Sequence, residues 1–306
     1  MKDTKCPECL SDSWIPKGYR DLKHGKMKKV KCECGHMYSF PIETHQPNIL
    51  FLDIETAPIS ADVWSLWKQN VGINQIRENG YVLCVCGIMN GEVLETSLPE
   101  FDKAYRRDNE NDFEVVTEVW EWLDKADIII GHNVWDFDLK TLNGRFLYHG
   151  MLPPSPYKIF DTLRTARNRF RLPSNKLDYL AQFLDVGKKM DTGGHELWTG
   201  CREGDLEAWD HMIEYCHHDV EILRKVYLKL LPWATNHPNM ALYGGGCKNC
   251  GGTHLTLLDK TAKTNVNEFF AYRCDDCGHI MRDRKAIKGN AHENVCLCCL
   301  IKKCQM

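Results

Sequence analysis

Between residues 49 and 238 the apolar positions follow two periods in turn. ILFLDIET (49–56) begins with four consecutive apolar residues and predicts a buried strand over 49–54. YVLCVCGIM predicts a second strand over 81–89, and a third is expected over 92–97. Helical spacing takes over at 112–125, which contains VVTEVWEWL, and DIIIG returns to a strand at 127–131. A helix at 137–148, a short strand in YKIFDT, and helices at 175–184 and 205–231 complete the pattern. The last helix spaces Ile213, Cys216, Val220, Leu223, Val226 and Leu230 three or four apart, one buried stripe. A hairpin start followed by α/β alternation predicts a mixed sheet with helices on both faces.

Outside this span the pattern stops and cysteines take over. Cys6, Cys9, Cys32 and Cys34 precede residue 48; Cys247, Cys250, Cys274 and Cys277 follow residue 240. SFPIETHQPN and LPWATNHPNMALYGGGC read as the linkers between these regions. Cys84 and Cys86 lie within the apolar run of the second strand and read as small core residues. CPEC with CECGHMY, and CKNC with CDDCGHIM, form a faint internal repeat.

Charge follows the same division. The chain of 306 residues has a net charge of −3, yet residues 1–48 hold 9 Lys and Arg against 6 Asp and Glu. Residues 239–306 hold 10 against 6, which leaves 20 against 30 in the middle. Basic ends around an acidic centre suit tails that touch a polyanion and a centre that holds cations. MKDTKCPECL lacks a signal-peptide core, and no apolar run approaches the roughly 18 residues of a membrane span. A cytoplasmic protein is expected, with no membrane partner. Its 16 cysteines then point to metal rather than disulfides.

The first strand ends on an unusual pair. Asp53 and Glu55 are two apart and share a face. Two carboxylates at the end of a core strand are costly unless paired or metal-bound, although a solvated strand end reads the same way. GHNVWDFDLKTL carries Asn133 and then Asp138 in the first turn of a helix. YCHHD puts Tyr215 and Asp219 one turn apart on the last helix, beside the buried stripe. Three core elements thus bring carboxylates toward one point, as a hard divalent cation requires.

Together these motifs resemble the DEDD 3′–5′ exonucleases of the ribonuclease H-like fold. Asp53-x-Glu55, Asn133 with Phe137-Asp138, and Tyr215-x3-Asp219 follow the family's order, and the last takes the tyrosine form, DEDDy. The similarity spans about residues 48–232. VWSLWKQNVGINQI and FRLPSNKLDYLAQFL are also similar to phage-encoded exonucleases, whose cytoplasm would be the host's. The resemblance implies that Asp53, Glu55, Asp138 and Asp219 hold two Mg²⁺ or Mn²⁺. Tyr215 would orient the attacking water. Nucleoside 5′-monophosphates would leave from the 3′ end by a two-metal-ion mechanism. It implies single-stranded DNA ahead of RNA as substrate, and a DNA polymerase or other replication protein as a possible partner in trans. Asp136, two residues before Asp138, competes for its role.

Neighbouring residues carry weaker readings. Asn133 suits a helix cap as well as a substrate contact, and Asp161 suits a helix cap. Tyr215 suits ring packing, and His132, His217 and His218 are assigned no role. Arg164, Arg167, Arg169 and Arg171 surround Phe170 and read as a solvated helix face or a guide for a single strand. Trp64 and Trp67, three apart, read as core packing in preference to base stacking.

Cys247-x2-Cys250 and Cys274-x2-Cys277-Gly have zinc-ribbon spacing. Cys6-x2-Cys9 with Cys32-x-Cys34-Gly departs by one spacer residue, and His36 offers a substitute ligand. Structural Zn²⁺ is expected at both, and His292, Cys296, Cys298, Cys299 and Cys304 offer a third site. The expected architecture is a zinc-ribbon-like module over 1–46, a ribonuclease H-like exonuclease domain over 47–238, and a zinc ribbon with a Cys-rich tail over 239–306. An exoribonuclease, an endonuclease of the same fold, and a zinc-ribbon nucleic-acid adaptor on a scaffold core remain alternatives.

Overall fold

The N-terminal cysteines sit at the base of an antiparallel meander. Its strands are β1 (Trp14–Leu22), β2 (Gly25–Cys32) and β3 (Met37–Ile42), in that order in the sheet. The computed structural model describes residues 5–22, 25–42 and 46–289. The third cysteine cluster, from His292 to Cys304, lies outside the described residues.

The central unit, residues 47–238, has a five-stranded mixed sheet. In chain order it contains β4 (Ile49–Thr56), β5 (Ser60–Ala61), β6 (Ile76–Glu78), β7 (Val82–Met89) and β8 (Glu92–Ser97). Helices α1 (Asp102–Arg107) and α2 (Phe113–Lys125) follow, then β9 (Ile128–Gly131), α3 (Asp138–Tyr148) and β10 (Lys158–Asp161). Four helices close it: α4 (Thr162–Arg169), α5 (Leu177–Phe183), α6 (Glu196–Glu203) and α7 (Leu206–Leu230). The sheet order is β10-β9-β4-β7-β8. β4 pairs parallel with β9 and antiparallel with β7, so it is hydrogen-bonded on both sides at the centre. β7 is buried along Val82–Ile88, as its unbroken apolar run requires, because helices cover both faces of the sheet. This is the expected ribonuclease H-like mixed sheet.

Strand alternation in β4 decides what faces what. Leu50, Leu52 and Ile54 are buried in the main core. Phe51, Asp53 and Glu55 point to the opposite face, where α7 packs: the Phe51 ring meets the Tyr227 ring edge-on at 5.3 Å. The α7 stripe fills a second cluster in which Ile222, Leu223, Val226 and Leu230 pack on Leu177 and Leu180 of α5.

A buried ion network ties the other face together. Asp112, fully buried before α2, accepts from Arg145 Nε and Nη2 at 2.7 Å each and lies 2.7 Å from His149 Nε2. It also accepts the Val82 N–H at 2.8 Å, which joins α2 and α3 to β7. Losing one partner of such a pair costs about 3–5 kcal/mol, because the other stays buried and uncompensated.

The segment 231–238, read as linker, is folded. Leu231 and Ala234 are buried, and His237 Nε2 lies 2.9 Å from the Tyr227 hydroxyl. The short elements α1, α6 and the β5–β6 hairpin have too few apolar periods to be read from sequence. α4 supplies the helix under the arginine cluster.

The terminal segments group into the other compact unit. Beyond residue 239 it contains α8 (Ala241–Gly244) and strands β11 (Leu255–Leu257), β12 (Ala262–Lys263), β13 (Asn267–Phe269), β14 (Ala271–Cys274), β15 (Ile280–Arg282) and β16 (Lys288–Gly289). These form two three-stranded sheets, β11-β14-β15 and β12-β13-β16. Among the described residues no helix is long and apolar enough to cross a membrane.

Candidate active site

Asp53 and Glu55 project from β4 toward Asp219 on α7. One carboxylate oxygen from each lies within 4.8 Å of the others. Asp219 is fully buried, and its Oδ1 has no hydrogen-bond partner among the described residues. An orphaned buried carboxylate oxygen facing two more carboxylates is a donor set suited to a hard divalent cation. The residues therefore fit the metal that the fold implies.

Asp138 lies outside that closest group but next to it. It is buried at the start of α3, where its carboxylate accepts backbone N–H groups, including that of Ile54 on β4. The tight turn before α3 sets its position. A Cβ on Gly131 would lie 2.4 Å from Val134 Cβ, so only glycine lets the chain fold back at the end of β9. Asn133 takes φ 70°, and its carbonyl accepts from Asp136 and Phe137. It does not cap α3, whose cap position is Phe137. Asp161 fixes the turn, accepting from the N–H groups of Asn133 at 3.1 Å and Trp135 at 3.3 Å. The same carboxylate caps α4 through Leu163 and Arg164. Asp136 is exposed and paired with Lys140 and Arg164, so it does not compete with Asp138.

Crowding shows in the acids' proton affinities. Burial, with the neighbouring carboxylates, raises Asp53 well above the usual carboxylate range. The same causes push Glu55 up to about 8. Burial pushes Asp138 up to about 7 against its backbone hydrogen bonds. Asp219 is raised by burial and partly relieved by Lys189.

Lys189 is the site residue that sequence reasoning missed. Its ammonium donates to Asp219 Oδ2 and, at 2.9 Å, to the Tyr215 hydroxyl. It lies between α5 and α6 in VGKKMD, where no periodicity marks it. The Lys189 N–H donates to Asp178 on α5 at 2.9 Å, which anchors the segment. Tyr215 is buried, its ring meeting Trp198 of α6 edge-on at 6.4 Å. Burial raises the phenol above its ordinary value.

The tryptophan reading is corrected. Trp64 and Trp67 are 95% and 81% exposed, in the β5–β6 connection rather than the core. Spacing of three implied packing, but no helix forms there to give it a face. The histidines have structural partners: His217 with Glu95, His218 Nε2 with the Lys188 carbonyl, and His132 Nδ1 with the Thr162 hydroxyl. Of the arginines, Arg164 stacks 4.9 Å over the Trp135 ring, and Arg169 Nε donates to the Trp233 carbonyl. Arg167 lines a cavity of about 600 Å³ with Asn133, Asn175 and Lys189.

Both expected cysteine groups converge. The sulfurs of Cys6, Cys9, Cys32 and Cys34 lie within 4.8 Å of one another, as do those of Cys247, Cys250, Cys274 and Cys277. Contacts of 3.3 Å for Cys9–Cys32 and 3.7 Å for Cys247–Cys277 approach the sulfur spacing of about 3.8 Å that tetrahedral Zn–S bonds of about 2.3 Å give. In the C-terminal group the Asn249 and Gly252 N–H groups point at Cys247 and Cys250 sulfurs, as in a metal-binding knuckle. His36 is not needed as a ligand and pairs with Glu8.

Residues 50–231 match the family RNase_H_2 of the RNase_H superfamily. No curated protein matches the chain. Among solved structures, the family B DNA polymerase from the hyperthermophilic archaeon Pyrobaculum calidifontis is similar, with TM-score 0.46 and 17% identity. That similarity covers 72% of this chain and 29% of the polymerase, so the chain spans less than a third of the polymerase's length.

Proposed function

Since the chain belongs to the RNase H superfamily, we propose that it is a metal-dependent 3′–5′ exonuclease. Its substrate is single-stranded DNA and its product nucleoside 5′-monophosphates. The observation that carries this reading is the convergence of Asp53, Glu55 and Asp219, with Tyr215 one turn before Asp219 on the same buried helix. Asp138, held beside β4, completes the acid set.

Asp53, Glu55, Asp138 and Asp219 would hold divalent cations, which would supply Lewis-acid stabilisation of the charge that builds on phosphate oxygens. Tyr215 keeps its proton, since its pKa is raised, and serves as a hydrogen-bonding group that positions water. Lys189 is bonded to that hydroxyl and keeps a positive charge at the site, where it favours an approaching phosphodiester. Trp64 and Trp67 are exposed on the β5–β6 connection and offer ring faces to unpaired bases.

In this reading residues 47–238 are the catalytic domain of a cytoplasmic enzyme, and 1–46 and 239–306 are zinc-bearing modules. DNA is favoured over RNA on the resemblance to proofreading and phage exonucleases, which is analogy. A polymerase acting in trans is the partner this implies. The test uses 5′-labelled single-stranded DNA and matched RNA with Mg²⁺ or Mn²⁺, beside Asp219→Ala. A ladder that shortens from the 3′ end, absent in the variant, supports the exonuclease and shows the sugar preference. Binding without cleavage of either strand transfers the function to the zinc-bearing modules.

A further inference from the structure

The C-terminal segment contains a cleft of about 740 Å³ that the nuclease reading does not use. Its floor is one face of the β11-β14-β15 sheet. Tyr272 pairs across strands with Met281, and Leu255 pairs with Cys274 two residues along, so Leu255, Tyr272 and Met281 share that face. Lys248, Arg282 and Arg284 line the cleft as well. None of the three forms an ion pair among the described residues. Asp283 is the carboxylate in the lining, and its Oδ1 already accepts the N–H groups of Arg284 and Lys285.

Arg282 follows Met281 on β15, so its side chain leaves on the opposite face, where the guanidinium lies 3.9 Å over the Phe269 ring. Gly245 and Gly246 leave bare backbone in the lining. Gly246 has φ 78°, and a Cβ there would lie 2.3 Å from the Gly252 carbonyl oxygen of the adjoining cysteine knuckle. The backbone at these two glycines is therefore bare and, at Gly246, packed against the metal-binding loop.

We infer that this cleft is a second nucleic-acid site, which holds single-stranded nucleic acid through its phosphates and bases. Two cations, Lys248 and Arg284, which form no ion pair among the described residues, beside an aromatic and apolar floor suit a chain that alternates anionic phosphates with flat bases. An acidic peptide would use the cations but not the ring. The choice of nucleic acid over another polyanion rests on the proposed nuclease; the cleft itself does not.

The test measures fluorescence anisotropy of labelled oligothymidylate on the full zinc-loaded chain carrying Asp53→Asn, without added Mg²⁺ or Mn²⁺. Adding Lys248→Gln and Arg284→Gln should weaken binding about tenfold. The slope of log K against log salt should fall by about 1.4, at about 0.7 per lost phosphate contact. Lys248→Arg with Arg284→Lys should restore the slope. Tyr272→Ala should weaken binding and leave the slope unchanged. An unaltered affinity and slope in the Gln pair would overturn the site. So would polyaspartate displacing the oligonucleotide at equal charge while Tyr272→Ala has no effect, the behaviour of an acidic-peptide groove. In the chain with Asp53 intact, the Gln pair should hydrolyse a nitrophenyl ester of thymidine 5′-monophosphate at the unchanged rate. If no chain hydrolyses that ester while the binding results hold, the nuclease reading falls and the cleft stands.

Discussion

Lys189 and Asp219 form an ion pair at the point where a cation would take the same carboxylate. Asp219 is fully buried, so the ammonium is what offsets its charge in the metal-free fold. Lys189→Met should therefore lower the stability of the metal-free protein by about 3 kcal/mol, the scale for removing one partner of a buried pair. Saturating Mn²⁺ should recover part of that loss. Denaturant melts with and without Mn²⁺ measure both effects, and equal losses in the two conditions would argue against a shared carboxylate.

Asp53 has the opposite sense. Its carboxyl is raised by burial and by neighbouring acids, so its charge opposes folding at neutral pH. Asp53→Asn should raise the melting temperature without metal, at roughly 2–4 °C per kcal/mol for a domain of this size. It should also abolish the stabilisation that Mg²⁺ or Mn²⁺ gives the parent chain. Thermal melts of both proteins with and without the ions would show it.

His132 provides a separate pH test. Burial lowers its pKa from 6.5 to about 4. As pH falls below 6.5 the unfolded chain takes up a proton that the folded chain refuses, so folding stability drops until about pH 4. That contribution is on the order of 3 kcal/mol at full extent. His132→Gln should flatten the fall relative to the parent, read as the difference between denaturant melts at pH 7.5 and 4.5. Parallel curves would mean that His132 protonates in place.

The two four-cysteine groups should carry about two zinc ions per chain. Cys274→Ser should remove one of them while Cys9→Ser removes the other, as elemental analysis of each purified protein will show. A single zinc lost by both variants would contradict independent sites.

Trp64→Ser with Trp67→Ser should change stability by no more than about 0.5 kcal/mol per site, as for other exposed positions. The same changes in a packed core would cost about 3–5 kcal/mol each. Denaturant melts decide between them directly.

Sequence showed the frame of the site because the frame is periodic. β4 and α7 owe their positions to apolar stripes, and Asp53, Glu55, Tyr215 and Asp219 are fixed in register to those stripes. Lys189 has no such reference. It reaches Asp219 through a loop whose course depends on α5 and α6 packing, which no local pattern encodes. The tryptophans failed for the converse reason. Their spacing imitates a helix face, but VWSLWKQNVG ends on glycine, and residues 62–72 stay irregular. Asp161 was legible as a cap but not as the anchor of the neighbouring turn, since its second set of partners lies 28 and 26 positions away.

The acid cluster draws on the first strand of the central unit and its last helix. During synthesis Asp53 and Glu55 leave the ribosome long before Asp219 does. Until α7 has emerged and docked, the nascent chain lacks the third carboxylate and the lysine that accompanies it. The acid cluster is therefore completed late in the making of the central unit, when α7 packs on β4.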